Sequence, residues 1–237
     1  CLIIHASILN LQATTCKDCL VFKENKGQWE QNILYKSELK TGAAFFEKGA
    51  ITFNLFDPKD ILRIKGDHHR LENYKHDIDY RMHFHAFRMK FVGASCDAKA
   101  SGQDAIAEYF NYFIGNNRTK WASNVHGFNQ LIYTGLYKGI NLKVMSQGGH
   151  MKYVYEVQPG ADAKQIQVAF DGADSLYIND KGELVIKTSI GDIMDLKPYA
   201  YQNAGGKYRD VKCAFKLEGK NTVTYQLPEG YRTSSTL

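Results

Sequence analysis

Residues 140–157 read INLKVMSQGGHMKYVYEV, and this stretch decides the fold class. Two strong strand candidates, 140–146 and 151–157, flank the turn Gln147-Gly-Gly149. Glycine readily adopts the positive φ values that tight hairpin turns require. The stretch therefore predicts a β-hairpin.

The rest of the chain repeats this organisation, with short strand candidates between Gly, Asn and Asp turns. Tyr and Phe, with 15 and 13 residues, far outnumber the 5 Met, and aromatic side chains favour strands. The other strand candidates are 21–23, 32–38, 43–47, 51–56, 81–92, 109–114, 128–133, 166–170, 176–178, 184–188, 199–202, 211–217 and 222–227. The only helix candidates are the short segments 103–108 and 161–165. The pattern predicts an all-β fold, either one antiparallel β-sandwich or two sandwich halves packed in tandem.

Residues 14–237 are predicted to form one β-rich module, with a division into two subdomains near 93–108 left open. Segment 58–79 is polar and has no periodic apolar face, so it is predicted to be an exposed loop. Segment 93–103 is also predicted to be a loop.

Residues 1–13 carry no charged side chain and are too short and interrupted to span a bilayer. They are interpreted as a signal-peptide remnant, with an ordinary buried β-strand as the alternative. The first interpretation predicts an exported protein, either extracellular or on the outer cell surface. No later apolar run reaches transmembrane length, so no transmembrane segment is predicted.

The net charge of +5 comes from 30 basic and 25 acidic residues that are interspersed. Nucleic-acid binders concentrate basic residues in a patch, so nucleic acid is not an expected partner. Cys16 and Cys19 form a single C-x-x-C pair, which is compatible with a local disulfide and is weak support for zinc. Cys96 and Cys213 are expected to be unpaired.

Residues that carry chemistry are sparse. His83 and His85 alternate on a strand candidate and are the metal-ligand candidates, but no third ligand has a convincing spacing, so no metal and no cofactor are predicted. Two carboxylate pairs are interpreted as turn residues rather than as glycosidase acids. These pairs are Asp171 with Asp174 and Asp192 with Asp195. No catalytic residue is assigned, and a non-enzymatic role is favoured.

Trp29 and Trp121 are the candidate ligand-binding residues. Each lies in an aromatic, Asn- and Gly-rich context beside a strand. An exposed indole on a sandwich stacks on sugar rings, whereas a buried one fills a core or a corner. Packing is the favoured interpretation, and the exposure of the two indoles distinguishes the alternatives.

Several motifs in a fixed order resemble a known family. The opening segment 22–29 contains E-N-K-G-Q-W, and 111–124 resembles an N-Y-F-x-G-N…W-x-x-N block. Segment 136–142 is close to L-Y-P-G-I-D-L, with Lys138 and Asn141 in place of Pro and Asp. The segments 159–162, 172–174 and 197–202 follow in the same order. These motifs resemble the N-terminal domain of SBBP-repeat and gliding-motility-associated secreted proteins of Bacteroidota-type bacteria.

The resemblance extends over 20–237 and implies an exported β-rich module of uncharacterised role. Its implied partners are downstream domains of the same polypeptide. The leading hypothesis is a non-catalytic scaffold or adhesion module that contacts a surface protein or glycan. The alternative is a carbohydrate-binding or glycan-processing accessory domain.

Overall fold

A computed structural model describes residues 2–4, 19–70, 80–204 and 207–237. About 57% of the chain is strand and 6% is helix, and the large antiparallel sheets do not close into a barrel. The predicted all-β sandwich is therefore confirmed.

The strands are numbered in chain order. They are β1 (Leu2–Ile4), β2 (Phe22–Glu24), β3 (Ile33–Leu39), β4 (Gly42–Glu47), β5 (Ala50–Phe56), β6 (Phe84–Phe91), β7 (Lys99–Tyr112), β8 (Ala122–Tyr137), β9 (Ile140–Gln147), β10 (His150–Val157), β11 (Gln167–Asp171), β12 (Ser175–Ile178), β13 (Leu184–Thr188), β14 (Gly191–Asp195), β15 (Tyr199–Ala204), β16 (Lys207–Val211), β17 (Ala214–Glu218) and β18 (Thr222–Gln226). Helix α1 spans Pro58–Arg70, and two 3-10 helices span Arg118–Lys120 and Ala163–Gln165. None of the described helices has the length and apolar character that a membrane span requires.

The described strands form two sheets. The main sheet has 15 strands in the order β16-β15-β1-β10-β9-β8-β2-β3-β4-β5-β6-β11-β18-β17, with β7 paired to β8. The second sheet has 3 strands in the order β12-β13-β14. Strands from both sides of segment 93–108 belong to the main sheet. Part of the stretch interpreted as a signal remnant, Leu2–Ile4, forms β1 between β10 and β15. Residues 5–13 lie outside the described residues, and the signal-peptide interpretation stays a prediction.

The predicted hairpin of residues 140–157 is present as β9 and β10. Gln147 at the end of β9 pairs with His150 at the start of β10, and the two glycines between them have φ values of 59° and 79°. A type I′ turn needs positive φ at both central positions, so a side chain there would be strained. The turn at Lys48-Gly49 connects β4 to β5.

Aromatic residues fill the interior between the sheets. Phe22 packs edge-on against Phe46, with ring centroids 5.2 Å apart, and Phe53 stacks on Phe87 at 4.8 Å. The Tyr133 ring is fully buried, and its hydroxyl donates to the Glu47 carbonyl oxygen at 3.0 Å. That bond satisfies a polar group that burial would otherwise leave without a partner. Many of the Tyr and Phe residues therefore form the hydrophobic core.

Segment 58–79 is a helix over Pro58–Arg70, where a loop was predicted. Pro58 occupies the first helical position, and the Asp57 carboxylate accepts the Lys59 N–H at 2.9 Å. Proline at the first position and aspartate just before it are start signals for helices. The sequence signal for this helix is therefore its N-terminal capping residues rather than an apolar face.

The prediction of a loop at 93–103 and a short helix at 103–108 is wrong for most of its length, because Lys99–Tyr112 form β7. This strand is mostly exposed and contains Ala, Gly, Ser and Asp, which are poor strand formers. Its register with β8 runs from Lys99 opposite Thr134 to Tyr112 opposite Ala122. Backbone pairing with a long partner strand therefore overrides the local propensity.

The cysteines within the described residues are of two kinds. Cys19 is disulfide-bonded, whereas Cys96 and Cys213 are free thiols, as expected. Cys213 is buried, and burial raises the pKa of its thiol to about 12. Its role is that of a small apolar core residue.

Candidate functional site

The β7–β8 hairpin is the most prominent feature of the main sheet. Its strands contain 14 and 16 residues and are the longest that the structure describes. The connection between them, residues 113–121, includes the 3-10 helix Arg118–Lys120. The N-Y-F-x-G-N…W-x-x-N block at 111–124 covers this connection and the adjoining ends of β7 and β8.

Three side-chain hydrogen bonds hold the connection in one conformation. The Asn111 Oδ1 accepts the Asn124 N–H at 3.0 Å across the base of the hairpin. The Trp121 Nε1–H donates to the Gly115 carbonyl oxygen at 3.1 Å. The Asn117 Oδ1 accepts the Thr119 N–H at 3.1 Å and so caps the 3-10 helix. The Asn and Trp residues of this block therefore take part in turn interactions.

Four large apolar side chains are exposed around this connection, and we call them the aromatic tip. They are Tyr109, Phe113, Ile114 and Trp121, with exposed fractions of 61%, 60%, 78% and 37%. Phe113 packs edge-on against Trp121, with centroids 5.7 Å apart, and the Arg118 guanidinium lies 5.4 Å from the indole. The tip thus presents exposed apolar side chains with a cation beside the indole.

Trp29 has a different environment from Trp121. It lies in the turn between β2 and β3, is half-buried, and packs edge-on against Tyr112 at 5.4 Å. The Lys36 ammonium lies 5.6 Å from its ring. Of the two ligand-binding candidates, only Trp121 belongs to the exposed aromatic tip.

The E-N-K-G-Q-W motif builds the turn that carries Trp29. Asn25 is its centre, because its Oδ1 accepts the N–H groups of Gly27 at 2.9 Å and of Trp29 at 3.2 Å. Its Nδ2 donates to the carbonyl oxygens of Glu30 at 2.9 Å and of Ile33 at 2.7 Å. One amide therefore satisfies four backbone groups in a turn that lacks a regular ladder.

Two contacts tie this turn to the hairpin. The Lys120 ammonium pairs with the Glu30 carboxylate at 2.9 Å, and the Lys26 Nζ donates to the Asn124 carbonyl oxygen at 3.1 Å. The hydrogen bond and charge of Lys120 lower the pKa of the Glu30 carboxyl. The first two family motifs are thus parts of one structural unit.

The third motif is also structural. The Asn141 Oδ1 accepts the Gly135 N–H at 2.8 Å, at a point where the β8–β9 register shifts. An aspartate would supply the same acceptor, so the substitution preserves this bond. Gly139 has a φ of 72°, and a Cβ there would lie 2.8 Å from the Ala161 Cβ. Both the turn and the packing therefore require glycine.

The two metal-ligand candidates, His83 and His85, contact different groups in the structure. The Asp60 carboxylate accepts the His83 backbone N–H at 2.7 Å and contacts its Nδ1 at 2.8 Å. His85 instead donates from Nε2 to the Gly172 carbonyl oxygen at 3.0 Å and accepts the Ser189 N–H at 3.2 Å. Within the described ranges, no group of three or more His, Cys, Asp or Glu side chains is arranged to hold a metal ion.

The carboxylate pairs have unequal environments. The Asp171 carboxylate accepts the Asn221 Nδ2–H at 3.0 Å, and Asp192 pairs with Lys187 at 2.7 Å. Asp195 is the last residue of β14 rather than a turn residue, and burial raises the pKa of its carboxyl to about 6. The turn interpretation is therefore wrong for Asp195, and also for Asp171 and Asp192, which lie in β11 and β14. Asp195 lies two positions after Ile193, and alternate residues of a strand share a face. This spacing is the sequence signal that Asp195 lies on the same face of the sheet as Ile193.

The architecture and the tip define an all-β, sandwich-type module with an exposed aromatic hairpin. A family model described as "Domain of unknown function (DUF7948)" matches residues 22–237, and the chain belongs to this family. A search among curated proteins and a search among solved structures each found no match.

Proposed function

We propose that the chain is a non-catalytic adhesion module of a large exported bacterial surface protein, and that the aromatic tip is its contact surface. The observation that carries this proposal is the group of four exposed, large apolar side chains at one end of the β7–β8 hairpin. Exposed apolar residues are usually scattered singly, and a contiguous cluster is typical of an interaction site.

The chemistry of the tip favours a protein surface as the partner. Aromatic residues and arginine are enriched at the energetic centres of protein interfaces, and the tip joins Phe113, Trp121 and Arg118. The hydrogen bonds at Asn111 and Gly115 hold the tip before binding. A preorganised surface loses less conformational entropy when it binds.

Two observations support export. The disulfide at Cys19 is of the kind that persists in oxidising compartments. The ordered motifs resemble those of the secreted SBBP-repeat and gliding-motility-associated proteins. Downstream domains of the same polypeptide would then supply the attachment to the cell.

Carbohydrate binding is the second candidate, and the partial exposure of Trp121 favours it. Stacking on a sugar requires an accessible ring face. The Arg118 guanidinium lies 5.4 Å from the indole, and Phe113 packs against it edge-on. These neighbours restrict access to the ring, so protein contact is the better-supported function.

The test uses Trp121 as an internal reporter. The chain has 2 Trp residues, so Trp29→Phe leaves Trp121 as the sole indole. This protein is titrated with gelatin, as an extended polypeptide, and with soluble glucan and mannan. We expect gelatin to shift the Trp121 emission, and we expect the double change Phe113→Ala and Ile114→Ser to weaken binding by about tenfold or more.

Tyr208→Ala is the matched control, because Tyr208 is an aromatic residue of β16 with 70% exposure and lies outside the tip. It should bind gelatin like the parent protein. Binding that is equal in the tip variant and the control contradicts the proposed contact surface. Binding to glucan or mannan alone, lost in Trp121→Ala, would establish the second candidate instead.

A further inference from the structure

A pocket of about 310 Å³ lies where the second sheet faces the main sheet. The main sheet contributes Phe53, Phe87 and Met151 to its lining, and the second sheet contributes Ile186 and Ile193. Ligand pockets in proteins begin at about this volume and are mostly apolar. The pocket is separate from the aromatic tip and shares no lining residue with it.

Asp195 is the one carboxylate among the residues that line this pocket. It lies two positions after Ile193 and directly opposite Leu184, so all three side chains are on the same face of the second sheet. Leu184 is almost fully buried on that face. A carboxylate therefore occupies a position where the strand pattern calls for an apolar residue.

The Asp195 carboxylate lacks a protein partner within the described part of the chain, since no hydrogen bond or ion pair there reaches it. Burial raises the pKa of this carboxyl to about 6, so it is mostly ionised at neutral pH. The neighbouring Asp192 differs, because Lys187 pairs with it at 2.7 Å. Lys40 and His150 also line the pocket, but neither forms an ion pair with Asp195 among the described contacts.

Asp195 is half-buried, and an unpaired carboxylate beside apolar side chains costs free energy. Local departures of this kind from the folding pattern are typical of functional sites. A ligand that brings its own positive charge removes the cost, because it supplies the partner that the protein lacks.

We propose that this pocket binds a small molecule with an apolar body and one protonated amine, and that the Asp195 carboxylate accepts the ammonium group. Charge complementarity selects this class, since an anionic ligand would meet Asp195 with like charge. The apolar side chains around the carboxylate select an aromatic or short alkyl body. This inference is independent of the adhesion proposal.

Three probes of similar size and different head groups test the proposal. Calorimetric titrations at about pH 8, where the Asp195 carboxyl is ionised, use 2-phenylethylamine, 2-phenylethanol and 3-phenylpropanoate. The amine is expected to bind more tightly than the alcohol, and the carboxylate to bind most weakly. In Asp195→Asn the amine should lose about tenfold or more in affinity, while the alcohol should be unaffected.

Asp192→Asn is the matched control, because it removes a carboxylate of the same strand that Lys187 already neutralises. It should leave the affinity for the amine unchanged, as should the tip change Phe113→Ala. Melting curves confirm that each variant is folded. The proposal is overturned if the alcohol or 3-phenylpropanoate binds as tightly as the amine, if none of the three binds, or if Asp195→Asn binds the amine like the parent protein.

Discussion

The side chain of Asn111 holds the backbone of Asn124 across the base of the β7–β8 hairpin, with the Oδ1 accepting the N–H at 3.0 Å. Asn124 itself has a φ of 52°, in the left-handed region where asparagine is tolerated and β-branched residues are not. The geometry of the aromatic tip therefore depends on two asparagines separated by 13 positions.

Asn124→Val should destabilise the protein by about 1–2 kcal/mol, because a β-branched side chain is strained in this conformation. Asn124→Gly should be close to neutral, since the backbone N–H that Asn111 binds is retained. Urea unfolding measures both effects, and near-ultraviolet circular dichroism reports on Trp121. Equal stability of the Val and Gly variants would show that the backbone of Asn124 is not strained.

At Gly102, packing rather than φ requires glycine. A Cβ there would lie 2.3 to 2.6 Å from three atoms of the Phe128 ring. Gly102→Ala should therefore cost about 1–3 kcal/mol. Adding Phe128→Ala should make the double variant less destabilised than the sum of the two single changes.

Gly49→Ala serves as the control for Gly102, because a Cβ at Gly49 meets nothing within 4 Å and its φ is not positive. Its effect on the free energy of unfolding should stay within about 0.5 kcal/mol. Additive effects of Gly102→Ala and Phe128→Ala would contradict the predicted clash.

Asp195 should make stability fall as the pH rises. Its folded-state pKa of about 6 lies above the ordinary value of 3.8, so the native state favours the protonated form. The stability that this protonation contributes is present below about pH 4 and is lost as the pH rises through about 6. Asp195→Asn should match the parent protein near pH 4 and exceed its stability by up to about 3 kcal/mol at pH 8.

Urea unfolding between about pH 4 and pH 8 measures this difference. Lys40 and His150 also line the pocket and are present in both proteins, so the comparison isolates Asp195. Asp192→Asn should not show the same gain at high pH. A constant difference between Asp195→Asn and the parent across the range would show that the Asp195 carboxyl titrates normally.

Asp60 should have the opposite pH dependence. The backbone and side-chain hydrogen bonds from His83 lower the pKa of its carboxyl to about 2. Its contribution to stability is therefore present above about pH 4 and is lost as the pH falls towards 2. Asp60→Asn should be less stable than the parent protein at neutral pH, and the difference should shrink in acid.

Thermal unfolding between about pH 2 and pH 7 tests this prediction. The control is Asp180→Asn, which changes an exposed aspartate in the turn between β12 and β13. A stability difference for Asp60→Asn that is the same at both ends of the range would rule out a lowered pKa as its cause.

Sequence patterns predicted most strands that have strong local signals, such as β9 and β10 with two glycines between them. They failed for β7, whose composition disfavours strands and whose conformation comes from pairing with β8. Segment 81–92 changes its apolar parity at Ala86-Phe87, which is typical of a β-bulge or of a strand shared between two sheets. The β5–β6 register is regular from Ala50 opposite Lys90 to Phe56 opposite Phe84, and Phe84 is simply exposed on the outer face.

The candidate site was only partly visible in the sequence. The block around Trp121 was identified as a packing corner, and its hydrogen bonds fit that description. The exposure of Phe113 and Ile114 was not predicted, because burial depends on which strands lie alongside the hairpin end. Asp195 was grouped with turn residues, since its strand β14 lacks a strong local pattern.

The sequence by itself determined the fold class and the turns. These depend on neighbours a few positions apart, as with Asn25 and its turn or the paired glycines before His150. Only the tertiary structure decided the order of the strands, the exposed tip and the pocket around Asp195. The strand order and the pocket bring together residues more than a hundred positions apart, such as Phe53 and Ile193. The exposure of the tip depends on which strands lie beside the hairpin end, so all three features depend on long-range pairing rather than on local preference.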